Sequence, residues 1–247
     1  MIDIHCHILP GLDDGPKNLE QAVEMAVLAK QSGISKIIAT PHFLNMVYAV
    51  DFKAVYTGAT VLSRELKKQK ISLEIFSGAE IRIAHNTGLL LKKGLLPSLA
   101  NSKYYLFELP DIFIKDGILR VLQQLREQEI FPIIAHPERN HTIMKNPGVI
   151  NDFGNEKALF QVTGDSVLGK NGKLCQKITK DMIQLGQVQF IGSDGHDIEF
   201  RKPSLENVYK AVKKISDEKT ARKILIENPE MILDQASGGK HMGKRVG

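Results

Sequence analysis

Apolar and polar positions along this chain follow two alternating periods. Lys36-Ile37-Ile38-Ala39-Thr40, Leu73-Glu74-Ile75-Phe76, Tyr104-Tyr105-Leu106-Phe107, Phe131-Pro132-Ile133-Ile134-Ala135, Ala158-Leu159-Phe160-Gln161-Val162 and Val188-Gln189-Phe190-Ile191-Gly192 are short runs dominated by apolar residues. Runs of this length, rich in β-branched and aromatic residues, are typical of strands covered on both faces. Ile2-Asp3-Ile4-His5 alternates instead, as a strand does when successive side chains point to opposite faces. Between these runs the period becomes helical. Leu19, Val23, Ala26 and Val27 recur at helix spacing up to a stop at Gly33. The same pattern predicts helices over 51–70, 86–93, 115–129, 147–153, 173–185, 204–215 and 218–226.

Strands alternating with helices predict an α/β fold, a parallel sheet with helices outside. No Pro/Gly/Ser-rich linker separates two halves, so a single domain is expected over 1–235, followed by a flexible, basic, Gly-rich tail over 236–247.

Composition narrows the classes. The chain has 247 residues, 43% of them hydrophobic and 25% charged, as in ordinary globular proteins. No apolar run approaches the ~20 residues of a membrane span, so stable membrane insertion is not expected. The chain starts directly on a strand without a basic and then apolar leader, which makes the cytoplasm the expected location. Cys6 and Cys175 provide no disulfide framework. The net charge of +5 owes part of its excess to Lys240, Lys244 and Arg245, and the other basic residues are scattered, as at Lys67-Lys68 and Lys213-Lys214. That pattern suits solvated helix faces, and a nucleic-acid partner is not expected.

The candidate chemistry stands where the strands end. In chain order the ends carry His5 and His7, His42, Glu80, Glu108, His136, and Asp194 with His196. The strand near Phe160 is the exception. Any one of these residues alone would more often serve a structural hydrogen bond. In a parallel barrel, however, all the C-terminal strand ends gather at one mouth. Five of the eight histidines fall at these ends, leaving His85, His141 and His241; His141 is a candidate for a supporting position. Mixed imidazole and carboxylate ligation suits manganese, iron, zinc or cobalt better than calcium or magnesium. A ligand set this large can hold two to three divalent ions, with Glu80 or Asp194 as a bridging carboxylate. Such a cluster without an organic cofactor suggests hydrolysis by a metal-activated water. Phosphate esters are the favoured substrates, because Arg139 and Arg201 leave the same strand ends and can grip a phosphoryl group bidentately.

Those residues carry a family resemblance. His5-x-His7 together with Asp194-x-His196 resembles the PHP (polymerase and histidinol phosphatase) superfamily. HCHILPGLDDG, IIATPHF, GAEIRI, FELP, IAHPERN and GSDGH resemble, in order from Met1 to about Arg201, the bacterial manganese-dependent protein-tyrosine phosphatases of the CpsB/YwqE type. The resemblance implies a distorted (βα)7, TIM-like barrel and a trinuclear centre, with manganese as the metal. It implies one ion on His5, His7, Glu80 and Asp194, a second on Glu80, Glu108 and His136, and a third on Asp14, His42 and His196. It implies phosphate binding by Arg139 and Arg201, and a phosphotyrosine protein as partner: the tail of a membrane-linked bacterial tyrosine kinase controlling capsule or exopolysaccharide synthesis. The proton for the leaving phenolate is open between water on the metals and a histidine such as His42. Gly192 and Gly195 depart from the family pattern, where alanine is commoner.

Other readings are narrowed by spacing. A cysteine-dependent phosphatase needs Arg six positions after its nucleophile, but Leu12 follows Cys6 and Asp181 follows Cys175 at that distance. Gly164–Asn171 nearly spells a phosphate-binding P-loop, but Asn171 stands where a hydroxyl should meet magnesium, so a plain loop is expected. The remaining alternatives are another PHP phosphoesterase, acting on histidinol phosphate or nucleic acid, and a metal-loaded regulatory module without turnover.

Overall fold

The computed structural model describes residues 1–44 and 47–238. In chain order it contains β1 (Ile2–Cys6), α1 (Leu19–Gln31), β2 (Lys36–Ala39), β3 (His42–Phe43), α2 (Phe52–Lys68), β4 (Glu74–Ser77), β5 (Glu80–Arg82), α3 (Thr87–Lys92) and β6 (Tyr104–Glu108). Then follow α4 (Lys115–Arg126), β7 (Phe131–Ala135), α5 (His141–Lys145), α6 (Val149–Asn155), β8 (Leu159–Thr163), α7 (Gly164–Leu168), α8 (Lys173–Gln184), β9 (Phe190–Gly192), α9 (Val208–Ile215), α10 (Glu218–Arg222) and α11 (Asn228–Gly238). The fold is α/β, with a parallel sheet curled inside a layer of helices.

Two of the seven expected strands are broken. The hydrogen-bonded orders are β1-β2-β4 and β3-β5-β6-β7-β8-β9, with every pair parallel. β3 continues the line of β2 past Pro41, which has no N–H to give a ladder. β5 continues β4 past Gly78, where a Cβ would come within 2.9 Å of Ile38 Cγ2 and 3.0 Å of Leu99 Cδ2. These breaks distort the barrel and turn His42 and Glu80 toward one another across β3 and β5, where they are register partners.

The ring closes where β9 meets β1. Asp194 N donates to His5 O at 2.8 Å, His7 N donates to Gly195 O at 2.8 Å, and Ser193 N donates to Asp3 Oδ1 at 2.9 Å. Close approach explains both departures from the alanine pattern. A Cβ on Gly192 would lie 2.6 Å from His5 Cβ, and one on Gly195 would lie 2.6 Å from Pro203 Cα.

Ile4, Ile38, Leu106, Ile133 and Phe190 belong to one buried cluster inside the ring, sealed from below by Leu99 and by Ile232 and Leu233 of α11. A larger cluster fills the space between strands and helices. Each long helix contributes a stripe to it, such as Val55, Ala59, Leu62 and Leu66 of α2, whose first turn is capped by Asp51 accepting from Ala54 N. The register of β1 against β2 shifts between Asp3 and Cys6. That irregularity lets His5 and His7 face the ring's open end while Cys6 packs into the outer cluster.

Several elements differ from expectation. Gly164–Leu168 is helix α7, not a loop, because Thr163 Oγ1 accepts from Ser166 N and Gly169 ends the turn in the left-handed region at φ 85°. The helix expected from 204 starts at Val208, after Asn207 at φ 62°. The expected helix 218–226 is α10 followed by one π turn, Lys223–Glu227. α11 runs to Gly238, so the first residues of the expected tail, 236–238, are helical; the rest lies outside the described residues. Burial of Ile232 and Leu233 holds α11 against the ring. Among the described residues no helix is long and apolar enough to cross a membrane.

Candidate metal centre

The strand ends converge. His5 Nε2 and His7 Nε2 are 3.2 Å apart, and His5 Nε2 lies 3.5 Å from Glu80 Oε1 and 3.3 Å from Asp194 Oδ1. His7 Nε2 is 3.4 Å from Glu80 Oε2 and 3.6 Å from Asp194 Oδ1. Donors held about 2.1 Å from one ion stand roughly 3.0–3.4 Å apart, so this spacing suits atoms arranged around a common point. All four side chains are buried.

The tautomers agree with that arrangement. His5 Nδ1 donates to Gln161 Oε1 at 2.8 Å, His7 Nδ1 to Asp13 Oδ2 at 2.7 Å, and His196 Nδ1 to the Asp194 carbonyl at 2.9 Å. Each of these imidazoles spends its N–H on a protein acceptor and turns the Nε2 lone pair inward, as metal-binding histidines do. Asp13 also accepts from the backbone N–H groups of His42 at 2.9 Å and Gly15 at 3.0 Å. Gln161 lies on β8, the strand whose end carries no ligand, and its contribution is to orient His5.

A second group sits to one side. His7, Asp14, His42 and His196 each offer an atom within 4.8 Å of the others. Asp14 Oδ1 lies 3.3 Å from His196 Nε2 and 3.6 Å from His42 Nε2, and the His7 and His196 rings stack with centroids 3.8 Å apart. His136 Nε2 meets Glu80 Oε1 at 2.8 Å on the other side, where it also groups with His5 and Asp194. Glu108 groups with Glu80 and His42. Glu80, Glu108 and His136 are therefore not gathered into one trio; Glu108 Oε2 is drawn instead to Arg82 Nη1 at 2.9 Å. His136 and Asp194 hold their places with left-handed backbones, φ 31° and 55°, local strain of the kind found at functional sites.

Arg139 and Arg201 reach the centre through Asp194. Arg139 Nη1 pairs with Asp194 Oδ2, and Arg201 Nη2 reaches the same oxygen at 2.8 Å while its Nη1 lies 3.6 Å from Asp14 Oδ2. Both guanidiniums are more than a third exposed, so they rim the mouth. Asp194 thus turns Oδ1 to the histidines and Oδ2 to the arginines.

Charges in the cluster are strongly coupled. Burial works against His7 as a cation, but its hydrogen bonds to the Asp13 and Glu80 carboxylates outweigh it and push its pKa up to about 10. Burial likewise opposes the His5 cation, and the Glu80 and Asp194 carboxylates reverse that and raise it. Burial would raise Glu80 and Asp194; for each the positive potential of His5 leads the opposing effects, and both are held well below the usual carboxylate range. His196 moves down, through burial and the charge of His7. Glu80 and Asp194 thus favour positive charge at His5 and His7, the same charge that a bound cation would supply in their place.

The donor set fits divalent transition ions. Within this cluster His42 Nδ1, Glu80 Oε2 and His196 Nε2 are buried side-chain atoms that complete no hydrogen bond and lie 2.9–3.4 Å from other donor groups of the same site. Buried polar atoms left in this way mark a missing partner. His141 is exposed and belongs to none of these groups, and Cys6 is buried with its thiol pushed up by burial, a packing residue. The sequence reading missed Asp13, Gln161 and Arg82. For Gln161 there was a signal, a lone polar residue inside an apolar run; for Asp13 there was none beyond its place beside Asp14.

Comparison with known proteins places this geometry in context. The family described as "Capsular polysaccharide synthesis, CpsB/CapC" matches residues 1–234. Tyrosine-protein phosphatase YwqE of Bacillus subtilis is 36% identical over 234 residues, covering 94% of this chain and 91% of that protein. Tyrosine-protein phosphatase CpsB of Streptococcus agalactiae is 26% identical over 238 residues, covering 94% and 98%. A crystal structure from work on YwqE of Bacillus subtilis and CpsB of Streptococcus pneumoniae, described as metal-dependent tyrosine phosphatases, superposes with a TM-score of 0.91 at 34% identity over 95% of each chain.

Proposed function

Since this chain belongs to the CpsB/CapC family, we propose that the cluster of His5, His7, Glu80 and Asp194, with its neighbours, is the catalytic centre of a metal-dependent protein-tyrosine phosphatase linked to capsular polysaccharide synthesis. The observation that carries the assignment of residues is the 3.2–3.6 Å spacing of inward-turned donor atoms from three separate strand ends.

In this reading His5, His7, Glu80 and Asp194 hold one ion, and Asp14, His42 and His196 hold another beside them. His136 and Glu108 extend the site from Glu80, making room for two to three ions in all. Manganese is the metal we assign, on the mixed imidazole and carboxylate donors, with iron, zinc or cobalt as substitutes. Bound there, such ions lower the pKa of water and neutralise the phosphoryl oxygens.

The chain's own residues do the rest. Gln161, Asp13 and the Asp194 carbonyl fix the imidazole tautomers so that Nε2 lone pairs stay inward. Arg139 and Arg201 present their exposed N–H groups to the phosphoryl oxygens, and Asp194 Oδ2 holds both forks at the mouth until substrate arrives. His42 is assigned to ligation through Nε2, beside Asp14 and His196, rather than to proton donation. Tyr48, whose ring stacks on His42 with centroids 5.8 Å apart, flanks the entrance. The substrate is a phosphotyrosine protein, and we assign it to the tail of a membrane-linked tyrosine kinase, met from the cytoplasm. Residues 1–235 act as one catalytic unit.

Hydrolysis of a phosphotyrosine peptide, histidinol phosphate and single-stranded DNA in the presence of manganese tests the assignment. The peptide is expected to have the highest kcat/KM. Preference for either of the others, or no turnover of any, overturns it.

A further inference from the structure

Beside the metal centre, between the loop after β1 and the loop after β9, lies a cavity of about 360 Å³. Asp14 and His196 form part of its wall, so it is continuous with the proposed ligands. Its lining joins the apolar Pro16, Met25, Ile198 and Phe200 to the polar Lys17, Gln21 and Glu199. The Phe200 side chain is 84% exposed.

That exposure is not the result of a slack loop. Asp197 Oδ1 accepts from three successive backbone N–H groups, Glu199 at 2.7 Å, Phe200 at 2.6 Å and Arg201 at 3.2 Å. The Arg201 carbonyl accepts in return from His196 N at 2.7 Å and Asp197 N at 3.1 Å. Residues 196–201 form a closed turn that carries a candidate ligand, an exposed aromatic ring and a guanidinium at the mouth. The turn thus presents the Phe200 ring beside the proposed centre, on a recess whose lining also includes Pro16, Met25 and Ile198.

We propose that this cavity receives an apolar or aromatic side chain next to the phosphotyrosine of the peptide substrate, with Phe200 closing over it. The inference rests on the phosphatase reading above and adds sequence selectivity to it. Continuity with Asp14 and His196 singles out this occupant: a phosphate seated on the metals brings the neighbouring residue of the same peptide to this wall. Pro16, Met25, Ile198 and Phe200 of the lining select among neighbours, while Arg139 and Arg201 read only the phosphate.

The test uses two phosphotyrosine peptides that differ at the flanking positions, one with leucine or tyrosine and one with glycine, on the manganese-loaded protein. Their kcat/KM ratio is measured, together with the Kd ratio of the matching non-hydrolysable phosphonate peptides by calorimetry. The apolar-flanked peptide is expected to be favoured about tenfold in both ratios. Phe200→Ser should bring both ratios close to one, and Phe200→Tyr should restore them. Equal treatment of the two peptides by the unaltered protein, or unchanged ratios in Phe200→Ser, overturns this inference and leaves the phosphatase reading standing. No turnover of either peptide overturns both. A change of mass in solution on removal of the ring would mark the surface as a self-association face, and the inference would fall.

Discussion

Replacing Asp13 with alanine removes one carboxylate that orients two proposed ligands. Its Oδ2 accepts from His7 Nδ1 at 2.7 Å and from His42 N at 2.9 Å, and its Oδ1 holds Gly15 N at 3.0 Å. The hydrogen bond to His7 fixes the tautomer that leaves Nε2 free. A hydrogen bond to a charged group contributes about 1.5–3 kcal/mol, which corresponds to roughly a 10–150-fold change in binding. Loss of a carboxylate behind a metal-binding histidine typically costs about 10–100-fold in affinity. The two routes agree, so manganese affinity should fall by at least about tenfold in Asp13→Ala. The variant also leaves the His42 N–H without its acceptor, at a cost of about 1–3 kcal/mol, which lies within the margin of a folded domain of ~5–15 kcal/mol. The protein should therefore fold with a lowered Tm and bind metal weakly. Competition titration against a chromogenic chelator measures the affinity, with circular dichroism as the check on folding. Asp13→Asn, which keeps a neutral acceptor, should fall between the two. An affinity within twofold of the unaltered protein in Asp13→Ala would show that His7 and His42 do not depend on this carboxylate for ligation.

Three further outcomes are expected. Metal loading should release protons: with His7 raised to about 10, its pairing with Asp13 and Glu80 is fully present below its ordinary value and is lost as pH rises through about 10. Metal affinity should accordingly climb with pH across that window, and calorimetry in buffers of different ionisation enthalpy should report the displaced protons; heats independent of the buffer would refute this. Gly192→Ala puts a Cβ 2.6 Å from His5 Cβ, so the variant should lose about 1–3 kcal/mol of stability and bind manganese more weakly, and an unshifted Tm would count against the tight seam. Arg139→Ala and Arg201→Ala should each raise KM and weaken inhibition by inorganic phosphate; unchanged values would confine the guanidiniums to their contact with Asp194.

Strand identity and order were legible because each run was continuously apolar, and the ends of those runs named His5, His7, His42, Glu80, Glu108, His136, Asp194 and His196. Their convergence followed from topology alone. The stop at Pro41 was legible from the proline itself, but the break at Gly78 was not, since it depends on contacts with Ile38 and Leu99 from elsewhere in the chain. Helix α7 was hidden by its brevity, five residues held by the Thr163 cap. α11 was hidden because its apolar stripe, Ile232 and Leu233, packs beneath the ring and offers little amphipathic contrast. Asp13 could not be separated from Asp14 by pattern, because the two neighbours differ only in direction: one turns to His7 Nδ1 and the other to His196 Nε2. Gln161 was set aside because its strand bears no ligand, although an amide serves here as support for one.

The junction of the first and last strands has a bearing on how the protein comes into being. His5 and His7 are made before β2 to β9, whereas Asp194 and His196 follow only after all of those strands. No cation can be captured by the full set until those distant pieces are stitched together, and contacts of such long range form late and slowly. A complete donor set thus reports on closure of the seam between β1 and β9 rather than on any strand by itself.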